Sequence, residues 1–287
     1  MVPIGTSRNV LSEFALRLSD SAMQPQLLNY DLGPGVVAFS TMRFGGYSIG
    51  NYADFNINHY CGDTDDAIHK NSMALCAELS ISPDNLLMPH QVHLDKAVVI
   101  DNAFMQLSGS ERLQALDGFD AIMTNLPGVC IGVSTADCIP ILLYDTEHSA
   151  VCAVHAGWRG TVARIVTKAI SKMQQVYHSC PKHIVAQIGP GIHVESFEVG
   201  DEVYQAFADA GFLMSAISCR MPNVQSGEEK WHIDLPECNR LQLESSGIPS
   251  NSIAVSPVCT YQQHTRFFSA RRLGINSGRI YTGIMIK

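Results

Sequence analysis

Two short, almost purely apolar runs, residues 129–134 and 149–154, lead into the two most chemically loaded segments of the chain. These segments are Thr135-Ala-Asp-Cys138 and His155-Ala-Gly-Trp-Arg-Gly-Thr161. Runs of this length and composition read as strands buried on both faces. The polar stretch 144–149 predicts a tight turn and so a hairpin, which would carry Cys138 and His155 to one edge of a buried sheet. A thiol beside an imidazole either holds a metal ion or runs nucleophilic chemistry, and the two runs alone leave both open.

Bulk properties narrow the class. At 287 residues the chain can bury a large core, and its 46% hydrophobic and 16% charged residues are those of a globular protein. A formal charge of -8 argues against broad electrostatic binding to nucleic acid or to an anionic membrane. No apolar stretch is long enough to span a bilayer, and the first residues lack the pattern of a secretory signal. The nine cysteines are an odd number, scattered, and form no C-x-x-C pair. They make a poor disulfide framework and point to a reducing, cytoplasmic setting.

No repeat, low-complexity tract or linker divides the chain. Residues 1–25 are expected to be a loosely ordered or surface-packed extension, and 26–287 a single domain. Strands are predicted at 36–41, 97–100, 118–123, 184–188, 253–256, 266–269 and 279–285, besides the two central runs. Helices are predicted at 63–80, 161–177, 202–210 and 235–246. The clearest is 161–177, where Thr161 suits an N-cap and Val162, Ile165, Val166, Ala169, Ile170 and Met173 share one face. Strands in runs, broken by a few helices without strict βαβ alternation, predict a mixed α+β layered domain.

The segment His155-Ala-Gly-Trp-Arg-Gly-Thr161 does not stand alone. His90-Gln-Val-His93, Asp117-Gly-Phe-Asp120, Thr135-Ala-Asp-Cys138, Ile188-Gly-Pro-Gly191, Cys259-Thr260, Phe267-Phe-Ser-Ala-Arg-Arg272 and Gly278-Arg279 accompany it. In this order the motifs resemble the laccase-domain or multicopper polyphenol oxidoreductase family, the YfiH/YlmD-like proteins, from about Phe39 to the C-terminus. The resemblance implies a single four-layer αββα sandwich related to cysteine-hydrolase folds. It also implies a transition-metal site and chemistry on purine nucleosides. The activities it implies are phosphorolysis of adenosine, inosine and methylthioadenosine, deamination of adenosine, and copper-dependent phenol oxidation.

Carried over residue by residue, the family's metal ligands fall on His93, Cys138 and His155, which are then also the candidate catalytic residues. One thiolate and two imidazoles leave a fourth position free, as catalytic zinc sites require; copper is the alternative metal. His90 is the weaker candidate. If residues 90–93 form a strand, His90 and His93 point to opposite faces, and Pro89 disfavours a helix there. Phosphorolysis needs an anion cradle, for which Arg43, with Gly45 and Gly46, is the first candidate. Asn56, Asn58 and Gln91 are candidates for ribose, base or phosphate. Arg159 is a candidate anion binder at the start of the 161–177 helix. Asp137 is expected to point away as a buried or capping carboxylate.

The expected partners are therefore purine nucleosides and phosphate, with no nucleic acid and no membrane. Two other functions stay open. Cys138 is the nucleophile and His155 the base of a cysteine hydrolase in one; the other is copper-dependent polyphenol oxidation. Residues 101–116 form an insertion expected to be a surface loop or a lid.

Overall fold

The computed structural model describes residues 23–223 and 226–287. Up to residue 22 the expected N-terminal extension lies outside the described residues. In chain order the first strands are β1 (Leu27–Tyr30), β2 (Val36–Thr41), β3 (Leu86–Leu87), β4 (Ala97–Ile100), β5 (Ala121–Thr124), β6 (Cys130–Thr135) and β7 (Ile139–Asp145). They are followed by β8 (Ala150–Ala156), β9 (Ile184–Ile188), β10 (Glu198–Val199), β11 (Ser218–Pro222), β12 (Glu229–Ile233), β13 (Ile253–Val255) and β14 (Ile280–Ile286).

These strands form a five-stranded sheet of order β1-β2-β14-β6-β3, a six-stranded sheet of order β13-β9-β7-β8-β5-β4, and a small sheet β10-β12-β11. Alternation along the strands explains the layering. Ile131 and Val133 of β6, Ile284 of β14, Leu142 of β7 and Val151 and Ala153 of β8 share one core, so the two large sheets face each other. The opposite face of β6 and β14 presents Cys130 and Met285 to Leu75, in the helix Asp65–Leu79 (α1). The opposite face of β7 and β8 presents Leu143, Cys152 and Val154 to the helices Ile165–Tyr177 and Leu235–Ser245. Helical packing on the outer face of each sheet gives the layer order helix, sheet, sheet, helices.

Most predicted elements are found within a few residues of their expected bounds, but four expectations need correction. The hairpin is formed by β7 and β8, with Asp145 opposite Ala150, and not by the run 129–134. That run is β6, which pairs with β14 in the other sheet. Residues 139–145 form a strand that carries Pro140, a residue the sequence pattern of a strand disfavours. The ladder tolerates it opposite His155, and its carbonyl accepts from Gly189 N–H at 2.8 Å.

The expected helix 161–177 is two helices, Trp158–Val162 and Ile165–Tyr177, broken at Arg164, which sits in the left-handed region at φ 62°. The Arg164 guanidinium lies over the Phe212 ring at 3.6 Å and donates to the Ala210 carbonyl at 3.0 Å, which holds the break. Thr161 is therefore inside a helix rather than capping one. Its buried hydroxyl accepts from Asn239 at 3.2 Å.

Residues 266–269 are the end of a turn and irregular backbone rather than a strand. The insertion is not an irregular loop. It holds two short helices, Asn102–Met105 and Gly109–Ala115, tied down by buried Phe104 and, just past them, Leu116.

Candidate metal centre

The crossing of the chain between the two large sheets builds the site. Residues 136–138 form a crossover from β6 in one sheet to β7 in the other, so Cys138 sits where the two sheets meet. His155 continues the row Val151, Ala153 along β8 and therefore points into the space between the sheets, near the end of its strand. His93 arrives from a loop after β3 and takes the left-handed region at φ 61°. Residues 91–96 are loop, so the strand argument that set His90 and His93 on opposite faces does not hold. The ligand atoms of His93, Cys138 and His155 all lie within 4.8 Å of one another. Among the described residues this is the only group of three or more such side chains so placed.

One carboxylate organises the trio. Asp120, fully buried, lies with Oδ1 2.7 Å from His155 Nδ1 and accepts the His93 backbone N–H at 2.9 Å. Its Oδ2 accepts the Leu94 N–H at 2.7 Å. Burial pushes Asp120 up, but the hydrogen bond and charge of His155, with these N–H groups, hold it below the ordinary carboxylate range. The contact places the His155 proton on Nδ1 and leaves Nε2 to face Cys138.

Burial alone would raise the Cys138 thiol. The charge of His155 and hydrogen bonds from His155 and His93 bring it down to about 6. Burial alone would lower His155, but the Cys138 charge and the Asp120 hydrogen bond lift it to about 9. By themselves the two groups form a thiolate–imidazolium pair.

The residues fit a single soft-to-borderline cation. One sulfur and two ring nitrogens suit zinc or copper, and His155 carries the oriented carboxylate partner usual for a ligating histidine. Gly157 keeps the space clear. A Cβ there would lie 3.0 Å from Cys138 Sγ and 3.3 Å from His93 Cδ2, although the backbone at φ -68° would accept any residue. Burial is graded from buried His155 through half-buried Cys138 to exposed His93, so the centre has one open side.

That side faces a cavity of about 320 Å³, whose further lining includes Asn58, Tyr60, His90, Gln91 and Arg279. Gln91 donates to the Ser134 carbonyl at 2.8 Å and accepts its N–H at 2.7 Å, so its amide mainly ties the loop to β6. Asn58 donates to Ser134 Oγ at 2.6 Å.

Three predicted substrate-binding residues lie elsewhere. Arg43 donates to the Ala53 and His264 carbonyls at 3.0 and 2.6 Å and rests over Phe268, off the cavity. Asn56 is fully buried and donates its side-chain amide to Asp63 at 2.9 Å, while its Oδ1 accepts the backbone N–H groups of Asn58 and Arg279. Arg159 is exposed and stacks on Trp158 at 4.3 Å, away from the lining residues. Asp137 is a buried carboxylate, as expected, and accepts from Thr260 Oγ1 and from Arg271 N–H, each at 2.7 Å.

Two residues went unassigned in the sequence. Asp120 stands in the motif Asp117-Gly-Phe-Asp120 with no local sign of its role, and its place one strand from His155 is a product of folding. Arg279 replaces Arg43 as the guanidinium on the cavity. Its Nη1 bonds the Ser277 and Gly278 carbonyls and its Nη2 the Ile275 carbonyl at 2.8 Å. Among the described residues its Nε–H and one Nη2 hydrogen have no acceptor.

The family model for the multi-copper polyphenol oxidoreductase laccase matches residues 37–287. A purine nucleoside phosphorylase of Bacteroides thetaiotaomicron is 46% identical over 248 residues, covering 86% of this chain and 90% of the relative. Adenosine deaminase RL5, from an unknown prokaryotic organism, is 43% identical over 253 residues, covering 88% of this chain and 95% of the relative. The crystal structure of YlmD from Geobacillus stearothermophilus superposes with a TM-score of 0.81 at 27% identity, covering 93% of this chain and 99% of that one. The chain belongs to the multi-copper polyphenol oxidoreductase laccase family, the family of the YfiH and YlmD proteins.

Proposed function

We propose that this protein is a zinc-dependent purine nucleoside enzyme. Its main reaction is the phosphorolysis of adenosine, inosine or methylthioadenosine, with deamination of adenosine as a further activity of the same centre. One observation carries the reading: the His93–Cys138–His155 trio opens onto a cavity that also holds the Arg279 guanidinium, two of whose N–H groups have no acceptor among the described residues. Relatives named purine nucleoside phosphorylase and adenosine deaminase support the substrate class. A volume of about 320 Å³ suits a small ligand.

His93, Cys138 and His155 would hold the zinc, which when bound supplies Lewis acidity at the open side of the site. Asp120 keeps His155 in the ligating tautomer. Arg279, braced by main-chain carbonyls, offers these N–H groups to a phosphate oxygen. Copper would bind the same donors, and phenol oxidation would then be side chemistry, because the trio serves one ion. No helix among the described residues is long and apolar enough to cross a membrane.

A second reading rests on the thiolate–imidazolium pair, which is also the machinery of a cysteine hydrolase. One assay separates the two. Zinc-loaded protein is offered a nucleoside panel with and without phosphate, with and without a chelator, and the products are identified. Free base and ribose 1-phosphate, formed only with phosphate and lost on chelation, are the expected outcome. Turnover that survives removal of the metal counts for the hydrolase and against the proposal.

A further inference from the structure

Phosphorolysis leaves one requirement unmet by the residues assigned so far. A purine leaves C1′ readily only if its imidazole ring gains a proton as the bond breaks. The titratable lining groups of the cavity are Tyr60, Cys61, His90, His93, Cys138, His155 and Arg279. The trio is committed to the metal, and a guanidinium does not give up its proton. Burial pushes both the Tyr60 hydroxyl and the Cys61 thiol up, making them weaker acids, and the thiol is bonded to the Asn58 carbonyl at 3.1 Å. His90 remains.

Its setting is that of a positioned acid. His90 Nδ1 lies 2.6 Å from Asp117 Oδ1, and the ring stacks on Tyr60 with centroids 4.2 Å apart. The main chain is locked on both sides: His90 N–H donates to the Leu116 carbonyl, and Gly118 N–H donates to the His90 carbonyl, each at 3.0 Å. With Nδ1 held by Asp117, Nε2 is the remaining polar atom of a cavity-lining ring, and it has no partner among the described residues. The side chain is 41% exposed, so the ring can recover a proton from solvent. The segment Asp117-Gly-Phe-Asp120 thus gives one carboxylate to His90 at the mouth and another to His155 in the interior.

We infer that His90, oriented by Asp117, is the acid that protonates the departing purine. The inference rests on the phosphorolysis reading. As a phosphate oxygen bonds to C1′, the C1′–N9 bond breaks and its electron pair passes into the base. The Nε2 proton of His90 moves to N7, so the purine leaves neutral. The phosphate monoester formed gives up its own proton to solvent, from which His90 is reprotonated, and the proton count closes. Asp117 acts through His90 and is a positioning residue.

The test compares inosine with 7-methylinosine in the zinc-loaded protein. The methylated ring already carries positive charge, so its base departs without an added proton. His90→Gln is expected to lower kcat on inosine by about 10²-fold or more while 7-methylinosine stays within about threefold of the unaltered rate. Asp117→Asn should show the same discrimination with a smaller loss. Zinc content and melting temperature, read on both variants, should be unchanged, since the ring lies at the surface of the cavity. Equal losses on the two nucleosides, or no loss on inosine, overturn the assignment of His90. An unaltered protein that phosphorolyses neither nucleoside overturns the parent reading and this one with it.

Discussion

Asp120 Oδ1 stands 2.7 Å from His155 Nδ1, with both side chains buried, and the same oxygen accepts the His93 backbone N–H. A single carboxylate therefore sets the tautomer of one candidate ligand and the loop position of another. Asp120→Asn puts an N–H donor where acceptors are needed. Metal affinity should fall about 10- to 100-fold. A competitive zinc titration with a chromophoric chelator checks this, and an unaltered affinity would mean the contact is only structural.

Cys138→Ala and His155→Ala should each lose both metal and nucleoside turnover while the protein stays folded. Both residues sit at the end of the inter-sheet space and not within its apolar core. Elemental analysis with circular dichroism reads the two outcomes separately. Full metal occupancy in Cys138→Ala would contradict the ligand assignment.

Protonation gives a signed prediction. The thiolate contribution of Cys138 is lost as pH falls through about 6, and the imidazolium contribution of His155 is lost as pH rises through about 9. Between these limits the folded pair holds one proton, on His155. In the unfolded chain, with His155 neutral above its ordinary 6.5 and Cys138 protonated below its ordinary 9.0, the pair holds one as well. The pair therefore adds no pH slope to metal-free stability in that window. Zinc needs the thiolate and the neutral ring, so binding should release about one proton from the pair and tighten as pH rises. Calorimetry in buffers of different ionisation heat measures the release, and its absence would count against a ligating His155.

Arg279→Ala should raise KM for phosphate by about 10- to 100-fold, the worth of a charged hydrogen bond, with zinc content unchanged. Arg43→Ala is expected to act on stability instead, because its guanidinium ties the Ala53 and His264 carbonyls together. Steady-state kinetics in phosphate, beside thermal melts, distinguishes the two arginines. A larger phosphate effect at Arg43 would favour Arg43 over Arg279 as the phosphate-binding guanidinium.

The chemistry-bearing residues were legible because the apolar runs and the motifs at their ends are local. Residues 129–134 and 149–154 read as strands, and the Thr135-Ala-Asp-Cys138 and His155-Ala-Gly-Trp-Arg-Gly-Thr161 segments stand at those ends. Partnership was not legible. A strand's alternation says which face is apolar and nothing about which strand lies beside it, so the expected pairing of β6 with β8 gives way to β14, far along the chain. Arg43 beside two glycines looked like an anion cradle, yet its nearest acceptors include a carbonyl more than 200 residues away in sequence.

The sequence by itself determined the helix faces and the α+β class, because residue type and period are properties of short segments, while the candidate donors His93, Cys138 and His155 followed from the resemblance that the ordered motifs carry. Tertiary structure decided that Cys138 crosses between two facing sheets, that Asp120 rather than a nearer acid orients His155, and that Arg279 rather than Arg43 faces the cavity. Each of these depends on packing between distant segments, which no local pattern encodes.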